Sequence, residues 1–169
     1  MMDLFRGASL IAATITMGLA AGLFYTFSIS VMPGLAQTAD RSFVEAMQRI
    51  NVAILNGWFA LAFGGALVCT VLATLLQLGA DDRAVLVWAA AALVLYATVL
   101  VITFAVNVPL NNQLNAAGAP DRIADLAAVR ERFEALWVRW NTVRTVASTA
   151  AFGCLTWAVV LYGRVWPGH

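Results

Sequence analysis

The sequence predicts an all-α integral membrane protein: a four-helix bundle, up-down-up-down, with a polar, partly helical connection between spans three and four. Three observations carry that reading. The 169 residues are 62% hydrophobic, with mean hydropathy +0.83. Only 11% are charged, about half the usual share in a soluble domain. The apolar residues gather in four runs, each near or above the roughly 20 residues that a spanning helix needs. A net charge of +1 leaves no basic footprint, so no nucleic-acid partner is expected. Every basic residue is arginine, a usage that fits a GC-rich bacterial genome and hence the bacterial cytoplasmic (inner) membrane.

The first span is expected over residues 8–32, where the apolar run far exceeds the roughly 7–15 residues of a cleaved leader's core. Gly18 and Gly22 stand at the GxxxG spacing that permits close helix approach, and Pro33-Gly34 reads as a stop. Ser42-Phe43-Val44-Glu45 reads as a capping box. It opens one long helix whose first turns lie outside the hydrocarbon and whose span covers about 50–78, with Gly64-Gly65 as a possible bend. The short charged turn at residues 79–83 sets the third span, 84–106, antiparallel beside the second. Asn107-Val108-Pro109 reads as its break.

Residues 110–136 form the longest polar stretch, with a helix start at Gly118-Ala119-Pro120-Asp121 and Asp121 as its cap. Ile123, Leu126, Val129, Phe133, Leu136 and Trp140 make an amphipathic stripe that lies on the membrane surface or rises directly into the fourth span, 136–163. No repeat or second domain is evident, so residues 1–169 read as one transmembrane domain with both ends on one face. The arginine count places the long connections inside the cell.

This topology brings the end of span one, the start of two, the end of three and the start of four to one face. The polar residues of the spans sit at just these ends: Tyr25 and Ser28, Asn51 and Asn56, Thr103 and Asn107, Asn141 and Arg144. Phe24, Phe27, Trp58, Phe59, Phe104, Trp137 and Trp140 crowd the same end. Trp137, Asn141, Arg144 and Ser148 share one helical face. The functional reading is a pocket with flat apolar walls, amide groups and one fixed positive charge. The plainer one divides these residues into interhelical glue, an interfacial tryptophan belt and an arginine snorkelling to the headgroups. Trp88, Trp157, Tyr162 and Trp166 suit the opposite belt. The spans contain no His, Asp or Glu, and the lone histidine is the terminal His169. A bis-His haem, a carboxylate di-iron cage or a zinc site made by the bundle is therefore not expected.

Gly22-Leu23-Phe24-Tyr25 with Met32-Pro33, Ile50-Asn51 with Asn56, Asn107-Val108-Pro109-Leu110-Asn111, and Trp140-Asn141-Thr142-Val143-Arg144 together resemble the anthrone-oxygenase-like family of small four-span membrane proteins. The resemblance covers nearly the whole chain. It implies oxygenation of flat anthrone- or polyketide-like substrates by O2 without a metal or organic cofactor. It further implies catalytic roles for Arg144, at an oxyanion, and for Asn141 and Asn107, orienting substrate or peroxide. Proton transfer would fall to Tyr25, to a mouth carboxylate such as Glu45, Glu131 or Glu134, or to the substrate's own acidity. Asn51, Asn56, Asn111, Thr103, Trp58, Phe59, Trp137 and Trp140 are the expected substrate contacts. Many relatives carry His directly after the Trp-Asn pair, where this chain has Thr142. The expected partners are a small hydrophobic aromatic substrate or a lipid, and the surrounding membrane lipids, with the oligomeric state open. The rival function is a non-catalytic module binding a lipid, quinone or partner subunit in the same pocket.

Overall fold

A computed structural model describes residues 1–80 and 83–165; Asp81, Asp82, Trp166 and His169 lie outside the described residues. Among those described the chain is all helix, without strands. Helix α1 runs Met2–Ala36, α2 Asp40–Ala53, α3 Gly57–Gln77, α4 Arg83–Ala116 and α5 Leu126–Val165, with a short 3-10 turn at Pro120–Arg122. Helices α1, α3, α4 and α5 are long and apolar enough to cross a membrane, which makes this a membrane protein. They form an antiparallel ring, α1 packing on α3 and α5, and α4 on the same two.

Small side chains let the ring close. Ala13, Ala66, Ala73, Ala89, Ala92, Ala151 and Ala158 are fully buried at the helix contacts. Of the two GxxxG glycines only Gly18 is a contact: a Cβ there would fall 3.0 Å from the Phe152 ring, whereas Gly22 faces open space. Gly65, similarly, lies against Thr16.

Lengths place the bundle. The 21 residues of α3 span about 31 Å, the thickness of a bilayer's hydrocarbon. Helices α1, α4 and α5, at 35, 34 and 40 residues, overhang it. Their excess, together with α2, makes a second helical layer on the face of the long connections.

Several expected boundaries move. Pro33-Gly34 does not stop α1, and Asn107-Val108-Pro109 does not break α4. Each proline is preceded by a π-helical turn, Phe27–Val31 in α1 and Thr103–Asn107 in α4, after which the helix continues. The wider turn carries the carbonyl four residues back away from the proline ring, removing the clash that ends an ordinary helix. The expected single helix through residues 42–78 is two helices, interrupted at Ile54–Asn56. Ser42 lies within α2, whose N-cap is Ala39 with no side-chain cap, so the capping box is not formed. Asp125, not Asp121, caps α5, its Oδ1 accepting from the Ala128 N–H at 2.9 Å. The amphipathic segment rises directly into the fourth span as one helix. Its buried face runs through Phe133 and Trp137, leaving Leu136 exposed.

The interior divides in two. Leu10, Met17, Phe24, Phe63, Tyr96 and Leu155 belong to a membrane-level cluster. Met32, Phe43, Met47, Leu114, Phe133 and Trp137 belong to a second cluster in the overhanging layer. Buried Asn51, Thr103, Asn107, Asn141, Arg144 and Thr145 occupy the level between them.

Polar clamps hold the upper layer down. Arg130 on α5 donates to the carbonyls of Ala36 and Thr38 (both 2.9 Å), pairs with Asp40 (3.0 Å) and Glu134 (2.6 Å), and lies over the Phe43 ring. It thereby satisfies the C-terminal carbonyls of α1 and fixes the start of α2. Gln48 does the same for α4, donating to the carbonyls of Leu114 and Gly118.

Candidate functional site

A cavity of about 270 Å³ lies where the two clusters meet. Phe24, Phe27, Phe59, Phe63, Phe104 and Trp137 give it aromatic walls; Asn51, Thr103, Asn107, Asn111, Asn112, Asn115, Asn141 and Arg144 supply its polar groups. The walls interlock. Phe63 stacks on Phe59 at 5.1 Å and meets Phe24, Tyr96 and Phe104 edge-on, and the Tyr96 hydroxyl donates to the Phe63 carbonyl.

Arg144 points inward and is 5% exposed. Its guanidinium donates to Asn141 Oδ1 at 2.9 Å and Thr103 Oγ1 at 3.2 Å, and sits 4.5 Å from the Phe24 ring centre and 5.5 Å from that of Trp137. Thr103 presents a lone pair because its own hydroxyl proton goes to the Val99 carbonyl. Among the described residues no carboxylate pairs with Arg144. Aromatic faces and two neutral oxygens hold the charge in place of an ion pair. The snorkelling alternative therefore does not hold.

Asn141 fixes the arginine to α1. Its amide donates to the Phe24 carbonyl at 3.1 Å and to Ser28 Oγ at 2.8 Å, and Ser28 bonds in turn to Thr145. Opposite, Trp137 Nε1 donates to Asn111 Oδ1 at 2.8 Å, while Asn107 donates to the Trp137 carbonyl at 3.4 Å. Asn51 reaches Asn115 at 3.5 Å. Two buried atoms of this shell have no hydrogen-bond partner: Arg144 Nε, a donor, and Asn107 Oδ1, an acceptor. Thr70 Oγ1 and Gln77 Nε2, elsewhere in the bundle, are likewise unpaired, but only Arg144 Nε and Asn107 Oδ1 belong to residues lining the cavity, where a ligand or ordered water can meet them.

The expected residues thus separate. Arg144, Asn141, Asn107, Thr103, Asn51, Asn111, Phe59 and Trp137 converge on the cavity. Tyr25, Asn56, Trp58 and Trp140 do not line it. Tyr25 is half exposed, turned about 100° from its neighbour Phe24. Asn56 accepts from the Phe59 N–H at 3.0 Å and donates to the Ala53 carbonyl at 2.8 Å, joining the ends of α2 and α3. Trp58 is 82% exposed beside that junction, and Trp140 lies half-buried outside the cavity. Thr142 bonds to the Val138 carbonyl on the exposed side of α5, so a base at that position would not face this cavity. Glu45 and Glu134 are engaged with Arg49 and Arg130, and neither they nor Glu131 lines it. Phe63, Arg130 and Gln48 take their roles from tertiary packing, of which polar spacing within the spans carries no sign.

The fold and cavity define a class: a small four-span membrane protein with an arginine that has no carboxylate partner among the described residues, in an aromatic, amide-lined pocket. The anthrone oxygenase family model matches residues 56–154, more than half the sequence, and the chain belongs to that family. The matched stretch holds Thr103, Asn107, Trp137, Asn141 and Arg144; Phe24 and Asn51 lie outside it. Comparison with curated proteins and with solved structures returns no match.

Proposed function

We propose that the protein oxygenates a flat, acidic aromatic ketone of the anthrone type with O2, inside the membrane and without a resident metal or organic cofactor. The observation that carries this reading is Arg144, free of any carboxylate partner among the described residues and with its Nε–H unused in an aromatic-walled cavity. The volume lies at the small end of ligand pockets and suits a planar molecule. The polar lining is amide, hydroxyl and guanidinium, lacking the imidazole, thiolate or carboxylate that metal sites favour.

The chemistry balances without another reagent. An anthrone loses a proton from its methylene carbon, and the charge delocalises onto the ring-ketone oxygen as a phenolate. That oxygen faces the guanidinium, which stabilises it as oxyanion donors do. The electron-rich carbon adds O2, the peroxide takes a proton, and loss of water leaves the second carbonyl. Anthrone and O2 give anthraquinone and water. No side chain lining the cavity is a base at neutral pH, so the first proton passes to water at the asparagine-lined end.

The test is oxygen uptake and quinone absorbance in vesicles holding the protein and 1,8-dihydroxyanthrone. The Arg144→Met variant is expected to be slower by about 10²–10³-fold. Equal rates would remove Arg144 from the mechanism. Binding of the anthrone without uptake above empty vesicles would favour the non-catalytic lipid- or quinone-binding module.

A further inference from the structure

We infer that the cavity is loaded sideways from the membrane interface, through a mouth between Leu55 at the α2–α3 junction and Phe104 on the π turn of α4. The inference rests on the reading that the cavity binds a flat aromatic ligand, and names where that ligand comes from.

Leu55 and Phe104 both line the cavity, yet are 77% and 63% exposed. One face of each touches the pocket while another meets the surroundings. Both belong to irregular backbone: residues 54–56 interrupt the helix, and Thr103–Asn107 is the wider turn. Such segments persist at membrane depth where they line a cavity and their polar groups are met. Asn56 meets those at the first site, joining the Ala53 carbonyl to the Phe59 N–H. The flanking helices α3 and α4 also share the least extensive contact in the ring.

Depth and chemistry agree. Because α3 matches the hydrocarbon in length, its first residue Gly57 marks the boundary with the headgroups, and Leu55 sits there. Phe104 touches Phe63 on α3, on the hydrocarbon side of that boundary. Val52 and Trp58, 69% and 82% exposed, carry apolar surface around Leu55. A tryptophan so placed belongs to the interfacial level, where other amphipathic aromatic rings also collect. A flat hydroxylated ketone dissolved in the bilayer would concentrate beside this mouth with its polar edge toward Asn51 and Asn107. The asparagine end, with exposed Asn112 and Asn115, is the rival route from water.

The experiment uses full-length protein in phosphatidylcholine vesicles with Trp137 as the only tryptophan, the other five replaced by Phe. The probe is 1,8-dihydroxyanthraquinone, which binds without turnover, and the reading is the rate at which Trp137 fluorescence is quenched. Leu55→Tyr, narrowing the mouth, is expected to slow the approach to final quenching roughly fivefold. Leu55→Ala and Phe104→Ala should hasten it. Asn112→Tyr and Asn115→Tyr alter the cavity's own polar lining and should change the final amplitude, but should slow the approach to it less than Leu55→Tyr does. Slowing by the asparagine variants and not by Leu55→Tyr would overturn the lateral route in favour of an aqueous one. Absence of quenching in the parent protein would overturn the ligand reading itself.

Discussion

Asn141 and Arg144 lie one turn apart on α5 and act as a unit: Asn141 Oδ1 accepts from the guanidinium at 2.9 Å while its amide donates to the Phe24 carbonyl at 3.1 Å on α1. The charge is thus positioned by a neutral side chain that is itself tied to a neighbouring helix. Truncating Asn141 to Ala frees the guanidinium and leaves the Phe24 carbonyl without that donor. The expected cost is about 2 kcal/mol of stability, since a hydrogen bond to a charge is lost along with two neutral ones, to the Phe24 carbonyl and Ser28 Oγ. Reversible unfolding in mixed micelles measures it, and a change below about 0.5 kcal/mol would contradict the coupling.

Arg144→Met should separate function from stability. Methionine fills much of the same volume, and relief of the buried charge's desolvation offsets the donors lost to Asn141 Oδ1 and Thr103 Oγ1. The variant is expected to melt at or above the parent temperature while losing turnover. A fall in Tm comparable to that of Asn141→Ala would make the arginine a structural element.

Pro109→Ala examines the π turn. With the ring removed, an ordinary α-helical register becomes available to residues 103–107, and one residue of slip rotates what precedes it by about 100°. Thr103 would swing off Arg144 and Asn107 off Trp137. The expected result is equal or greater thermal stability with turnover lowered by about tenfold or more, the sensitivity of a site to small misplacement. Unchanged turnover would show that the wider turn persists without its proline.

Asn56→Ala should behave as loss of a helix cap, costing about 1 kcal/mol and leaving turnover within about twofold of the parent. Hydrogen exchange at Phe59, whose N–H bonds to Asn56, should quicken first. Loss of turnover with unaltered exchange would return Asn56 to the site.

The polar layer was largely legible because depth along a helix is a count of residues. Asn51, Thr103, Asn107, Asn141 and Arg144 meet at the level that their distances from the span ends imply. Azimuth was less legible. Tyr25 and Phe24 differ by one residue in depth, but only Phe24 continues the buried series Leu10, Ala13, Met17 and Ala20. The breaks were misread for a related reason. A proline in sequence looks like a stop, and nothing around Pro33 or Pro109 announces the wider turn that accommodates it. Asn56 looked like a ligand contact because a polar residue near a span demands a partner. Its partners are backbone groups that a continuous helix would not have exposed.

One length carries a further consequence. Helix α3 alone matches a bilayer, while α1, α4 and α5 continue past it on the side of the cavity. In a thicker membrane the hydrocarbon can rise along those three helices but finds no more of α3 to cover, so the Leu55 junction is drawn into the acyl region. In a thinner one it emerges among the headgroups. Hydrophobic mismatch costs only fractions of a kcal/mol per Å, yet here it falls on the junction that borders the cavity. On the lateral route, acyl-chain length would set access to the cavity through the shortest of the spanning helices.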